Sequence, residues 1–273
     1  MLKFQVVTWN VHGVPVPLIA PRRRQRFERI AQKIMRLDPL PDAVLLQEVF
    51  CPSDVARLAG LLPCYHVVDN VPRRAFPPWF LPGFNLAGIV LRLRCSGLLA
   101  FIRHDWEVIL TQLTPYLASA SPLKLWEGDG YARKGFQHLV LRRSSHEEIA
   151  LINTHLQADY RYSSYQGVRE QQLRQLAAAV QLIEPSLPTL VAGDLNVQPH
   201  EELYSLLTMS HGWQDLLTKQ NNDTTVMAVR PWYDYVFAKP SHLHYHPGAV
   251  EIITNKQEPY SDHPGLVVTT TVS

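Results

Sequence analysis

The chain has 273 residues, 46% of them hydrophobic, with 26 Lys and Arg against 24 Asp and Glu. That is enough apolar material for a sizeable core in one or two domains, and a net charge of +2 gives no bulk polybasic signal for nucleic acid. Three cysteines, Cys51, Cys64 and Cys95, are odd in number and form no Cys-x-x-Cys pair, which argues against a disulfide framework or a zinc site.

In chain order, the N-terminus MLKFQVVTWN runs directly into a strand pattern from Phe4, with neither the apolar length nor the cleavage site of a signal peptide. No run of 18 apolar residues offers a transmembrane helix. The expected location is therefore cytoplasmic, at a membrane surface, or outside the cell by a non-classical route. RRRQRFERIAQKIMRL follows, with Phe27, Ile30, Ala31 and Ile34 on one face of a helix. AVLLQE from Ala43 reads as a strand. IALINTH from Ile149 and TLVAGD from Thr189 are strands separated by a second helix, VREQQLRQLAAAVQLI, with Leu173, Leu176, Ala177, Val180 and Ile183 on its apolar face. YDYVFA from Tyr233 and LVVTTT from Leu266 complete the strands. Strands mixed with helices predict a layered α/β or α+β fold, and no internal repeat is visible. HLHYHP alternates His242, His244 and His246 on one strand face, which reads as a solvated edge rather than a chelate.

Several of these strands end in polar residues: Asn10, Glu48, His155 with Gln157, Asp194 with Asn196, Asp234, and Asp262 with His263. Singly, each is a satisfied core residue or a turn former. Asp194 and Asn196 stand two apart, so they either leave the strand facing the same way or close it with an Asx turn. Taken in order, QE, TH, GDLN and SDH resemble the endonuclease/exonuclease/phosphatase superfamily, whose members cleave phosphodiesters or phosphomonoesters with Mg²⁺. The resemblance runs from Asn10 to His263. It implies a four-layer α/β sandwich, two mostly antiparallel sheets face to face with helices outside, in one catalytic domain over residues 1–273.

INTHLQA, SGLLAF at Ser96–Phe101 and ARKGFQHLVL at Ala132–Leu141 resemble the neutral sphingomyelinase branch. The resemblance implies Mg²⁺, with Mn²⁺ or Co²⁺ as substitutes. Glu48 would be a direct ligand, Asn10 an oxygen ligand or support, and Asp262 an outer carboxylate. His263 would be the general base, with Asp234 fixing its tautomer. His155 would act as general acid or as a phosphate-binding imidazolium. Asp194 would orient the attacking water and Asn196 would donate to a phosphoryl oxygen. Lys134 either adds charge to the site or lies on the surface, and Arg169 either supports the site or solvates its helix.

The segment RRAFPPWFLPGFNLAGIVLRLR, Arg73 to Arg94, carries no charge from Ala75 to Leu91, and Pro77, Pro78 and Pro82 forbid a regular helix there. It reads as a hydrophobic loop whose Phe76, Trp79, Phe80, Leu81 and Phe84 enter a lipid interface. The alternative is a loop folded onto the core. The expected partner is a membrane lipid, cleaved in phospholipase C fashion by a monomeric, peripheral enzyme. Metal-dependent nuclease and phosphoinositide phosphatase activities are the alternatives. A non-catalytic binding module is disfavoured because Glu48, Asp194 and His263 are all present.

Overall fold

A computed structural model describes residues 1–14, 22–69, 95–121, 127, 129, 132–145, 147–217, 233–239, 244–254 and 260–273. Two six-stranded sheets carry the fold. The first contains β1 (Leu2–Asn10), β2 (Ala43–Gln47), β3 (Tyr65–Asp69), β4 (Leu99–Arg103), β11 (Tyr245–Ile253) and β12 (Gly265–Val272), in the order β11-β12-β1-β2-β4-β3. The second contains β5 (Glu107–Pro115), β6 (Gly135–Ser144), β7 (Glu147–His155), β8 (Thr189–Asp194), β9 (Gln214–Asp215) and β10 (Asp234–Ala238), in the order β5-β6-β7-β8-β10-β9.

Each sheet has one parallel pair at its centre, β1 with β2 and β7 with β8, and antiparallel neighbours elsewhere. A parallel pair needs a crossover, and the two long helices supply it. Helix α1 (Arg23–Ile34) joins β1 to β2, and α3 (Gln166–Gln181) joins β7 to β8. A third helix, α2 (Pro52–Leu61), follows β2, and a short α4 (Glu202–Ser205) with a π-turn at Leu206–Ser210 follows β8. The two sheets thus share one plan, an architectural repeat with no counterpart in the sequence.

The layering is visible in β1. Phe4 and Val6 belong to the core between the sheets, whereas Val7 and Trp9 pack with Phe27, Ile30, Ala31 and Ile34 of α1. In β2, Ala43 and Leu45 face the first core and Val44 and Leu46 the second. Central strands covered on both faces read as continuous apolar runs, which is why they were legible without alternation. Beneath the strand ends, Gln47 Nε2 donates to Asn153 Oδ1 at 2.8 Å and Asn153 Nδ2 donates to Leu46 O at 3.2 Å. This buried polar pair fixes how the sheets register on each other.

β12 pairs with β1, so the SDH motif near the end of the chain comes back beside Asn10 near its start. His244 and His246 are exposed at the edge strand β11, as a solvated edge predicts, and His242 lies outside the described residues. So does the whole 73–94 segment, with Phe76, Trp79, Phe80, Leu81 and Phe84. No described helix is long and apolar enough to cross a membrane.

Candidate active site

The two parallel strand pairs end together, and their last residues build the site. A cleft there is lined by Asn10, His12, Glu48, Lys134, His155, Asp194, Asn196, Asp262 and His263, together with Phe50, Asp129 and Tyr160. Every sequence-predicted catalytic and metal residue except the buried Asp234, which lies behind His263, lines it.

Asn10 is the hub. Its Nδ2 donates to Glu48 Oε1 at 3.0 Å and to Asp194 Oδ2 at 2.9 Å, bridging the sheets, while its Oδ1 accepts the N–H of His12 at 3.0 Å. In this orientation Asn10 holds the two carboxylates together. Asp194 reaches the cleft because Gly193 precedes it. Gly193 has φ +144°, and a Cβ there would lie 1.9 Å from Thr154 O, so only glycine lets β8 come this close to β7. Both readings of GDLN hold. Asp194 Oδ1 accepts the N–H of Asn196 at 2.9 Å in an Asx turn, and both side chains nevertheless reach the cleft. Asn196 Nδ2 also donates to Leu156 O at 3.1 Å.

His263 Nδ1 lies 2.6 Å from Asp234 Oδ2, and its Nε2 lies 3.8 Å from Asp194 Oδ2. The ring is thus held from one side and presented to the cleft from the other, as expected of a base and its orienting carboxylate. Burial opposes charge on this ring, but Asp234 and Asp194 outweigh it and raise its pKa to about 11. Burial pushes the Asp194 carboxyl up to about 6 and raises Asp234 and Glu48 as well. These carboxylates therefore favour the protonated ring. A divalent cation among them would offset the charge that raises the ring.

His155 faces Lys134 and Asp194. It is fully buried, with Nε2 2.9 Å from Lys134 Nζ and 3.4 Å from Asp194 Oδ2. Burial first, and the neighbouring Lys134 second, hold its pKa well below the usual 6.5. Burial and the neighbouring Lys134 thus favour the neutral ring over an imidazolium. Lys134 is buried, its Nζ 2.7 Å from Asp129 Oδ2 and 2.6 Å from Leu156 O, which removes the surface-lysine reading.

Asp129 was not singled out by sequence. Gln157 Nε2 donates to its Oδ2 at 3.1 Å, and the N–H of Ala158 does so at 2.8 Å. Arg169 is buried too. Its Nη1 donates to Gln157 O at 3.3 Å and its Nη2 pairs with Asp159 at 2.7 Å, so it supports the site rather than solvating its helix. His12 was missed as well. Its Nδ1 lies 3.0 Å from Asp262 Oδ2, and although burial opposes charge on Asp262, that contact and others hold its pKa at about 2.

The donors fit a hard divalent cation. Glu48 Oε2 is shielded from solvent and has no hydrogen-bond partner among the described residues, the kind of orphaned oxygen a bound cation satisfies. Asp262 contributes a second carboxylate lining the same cleft. Asp194, Asp234 and His263 form another group, with potential ligand atoms within 4.8 Å of one another.

The sequence profile of the Endonuclease/Exonuclease/phosphatase family matches residues 7–263. An inositol phosphosphingolipids phospholipase C from Schizosaccharomyces pombe is 25% identical over 227 residues, covering 80% of this chain and 48% of that protein, so the chain spans about half the length of this relative. D. rerio TDP2, in complex with a single-strand DNA product, superposes with a TM-score of 0.69 at 17% identity, over 98% of this chain and 99% of that one. Sphingomyelinase C from Streptomyces griseocarneus superposes with a TM-score of 0.64 at 17% identity, again over 98% and 99%. With two facing sheets, strand ends that gather phosphate-handling residues, and a family match over most of its length, the chain belongs to the endonuclease/exonuclease/phosphatase family, whose members hydrolyse phosphoric esters.

Proposed function

We propose that the protein is a Mg²⁺-dependent phospholipase C-type phosphodiesterase that releases a phosphorylated head group from a membrane sphingolipid. The observation that carries this reading is Lys134, buried beside His155 and held by Asp129, within the segment that resembles the neutral sphingomyelinases. The phosphosphingolipid phospholipase relative supports the same substrate class.

In this reading water attacks phosphorus and the bond from phosphorus to the lipid oxygen breaks. Glu48 and Asp262 would hold a Mg²⁺ ion, whose charge would stabilise the phosphoryl oxygens and the departing lipid alkoxide, which then takes a proton from water. Asp194 orients the water, and His263 Nε2 takes its proton while Asp234 fixes the ring. His155 offers a neutral ring to the phosphate, and Lys134 balances the growing negative charge. Asn196 donates to a phosphoryl oxygen. The 73–94 segment, through Trp79 and Phe80 with their apolar neighbours, would hold the cleft at the lipid interface.

The nuclease reading keeps one specific support, since a DNA-complexed relative is as similar in fold as the sphingomyelinase. Purified protein given sphingomyelin vesicles, inositol phosphosphingolipid vesicles, an inositol phosphate or single-stranded DNA, each with Mg²⁺ or with EDTA, separates the readings. The proposal expects Mg²⁺-dependent release of a phosphorylated head group from one of the lipids. Cleavage confined to DNA, or release of inorganic phosphate alone, would overturn it.

A further inference from the structure

His12 takes no part in the chemistry above, yet it bonds to both Asn10 and Asp262. Its backbone sits in the left-handed region, φ +49°, where a residue other than glycine is uncommon. Three bonds hold it there. Its N–H donates to Asn10 Oδ1 at 3.0 Å, its carbonyl accepts from Arg26 Nη2 at 2.5 Å, and its ring Nδ1 meets Asp262 Oδ2 at 3.0 Å. Ser261 Oγ closes the circuit, 2.7 Å from Asn10 O and 3.0 Å from Asp262 Oδ1. His12 therefore ties the end of β1 to the turn that carries Asp262 and His263.

We propose that His12 is a positioning residue for the divalent-cation site: its ring holds the Asp262 carboxylate, and its N–H holds the Asn10 amide, where Glu48 and Asp262 can grip one ion. The inference rests on the cation reading given above. The Asp262 side chain is 54% exposed, so loss of the His12 contact would leave its Oδ2 less constrained in water. Fixing it beforehand removes that ordering cost from cation binding. Hydrogen-bonded supports behind metal-binding carboxylates commonly contribute tenfold or more to affinity.

His12→Gly isolates the ring, because glycine adopts this backbone freely and keeps both main-chain bonds. Binding is read from the electron paramagnetic resonance signal of free Mn²⁺, without substrate, with circular dichroism as the check on folding. The wild-type protein should bind Mn²⁺, and His12→Gly should bind it about tenfold more weakly. His12→Asn, which tolerates the left-handed region and keeps a donor, should recover part of the loss. In turnover assays the Mg²⁺ concentration for half-maximal rate should rise more than the rate at saturating Mg²⁺ falls. Unchanged affinity in a folded glycine variant would overturn this proposal alone. Tighter binding would also overturn it, since the ring would then be a competitor of the ion. A wild-type protein that binds no Mn²⁺ would overturn both this proposal and the cation reading beneath it.

Discussion

A single amide joins the two sheets at the cleft, for Asn10 donates to Glu48 and Asp194 at once. Glu48→Gln keeps the shape of that contact and removes the charge. Activity at low Mg²⁺ should be lost, with partial recovery at high Mg²⁺, and full activity in EDTA would contradict the metal assignment. His263→Ala should lower turnover by about 10²–10⁴-fold, the usual contribution of a general base. Asp234→Asn should cost less, because it misorients the ring without removing it.

The histidine pair also has opposite proton affinities. His155 lies well below 6.5 and His263 is raised to about 11, so at pH 8 in EDTA the first ring should be neutral and the second doubly protonated. Histidine-selective ¹⁵N spectra report both states, and a neutral His263 under these conditions would contradict the electrostatics. The gathering of Glu48, Asp194 and His263 in one cleft was legible because each stands in an ordered set of polar residues that follow strand patterns. His12 and Asp129 were not, because their partners, Asp262 and Lys134, meet them only through tertiary structure and turn geometry.

Gly193 shows how an element delivers a side chain. A Cβ at 1.9 Å from Thr154 O would push β8 from β7 just where His155 and Asp194 leave the sheet. Gly193→Ala combines overpacking with a backbone conformation foreign to L-residues and should cost at least about 2 kcal/mol in denaturant unfolding. A loss below about 0.5 kcal/mol would mean that the strands part more easily than their packing implies. The strands legible in sequence, β1, β2, β7, β8, β10 and β12, are mostly apolar and mostly buried. β5 and β11 are edges with exposed residues along their length, and β3 is a short edge, so their apolar pattern is diluted. β6 lies within ARKGFQHLVL and beyond it, where Gln137, His138, Arg142 and Arg143 interrupt its apolar pattern. Helix α2 escaped because Pro52 opens it and only Asp54, Val55 and Leu58 are buried.

At the scale of the molecule, a common plan for two sheets brings four strand ends into one place, and residues 251 apart in sequence, Asn10 and Ser261, meet there. If the 73–94 segment sets this cleft against a bilayer, Trp79→Ala with Phe80→Ala should weaken liposome binding and slow hydrolysis of vesicle lipid, with little change on a soluble phosphodiester. Equal loss on both substrates would assign the segment to the core instead. The proposed function requires this site to direct water to the phosphorus of a sphingolipid phosphodiester. Hydrolysis of phosphosphingolipid vesicles in H₂¹⁸O with Mg²⁺, followed by mass spectrometry of both products, shows where the water oxygen goes. ¹⁸O should appear in the phosphorylated head group and not in the ceramide, and Glu48→Gln should give no reaction at low Mg²⁺. Label in the ceramide hydroxyl, or no Mg²⁺-dependent release of head group, would contradict it.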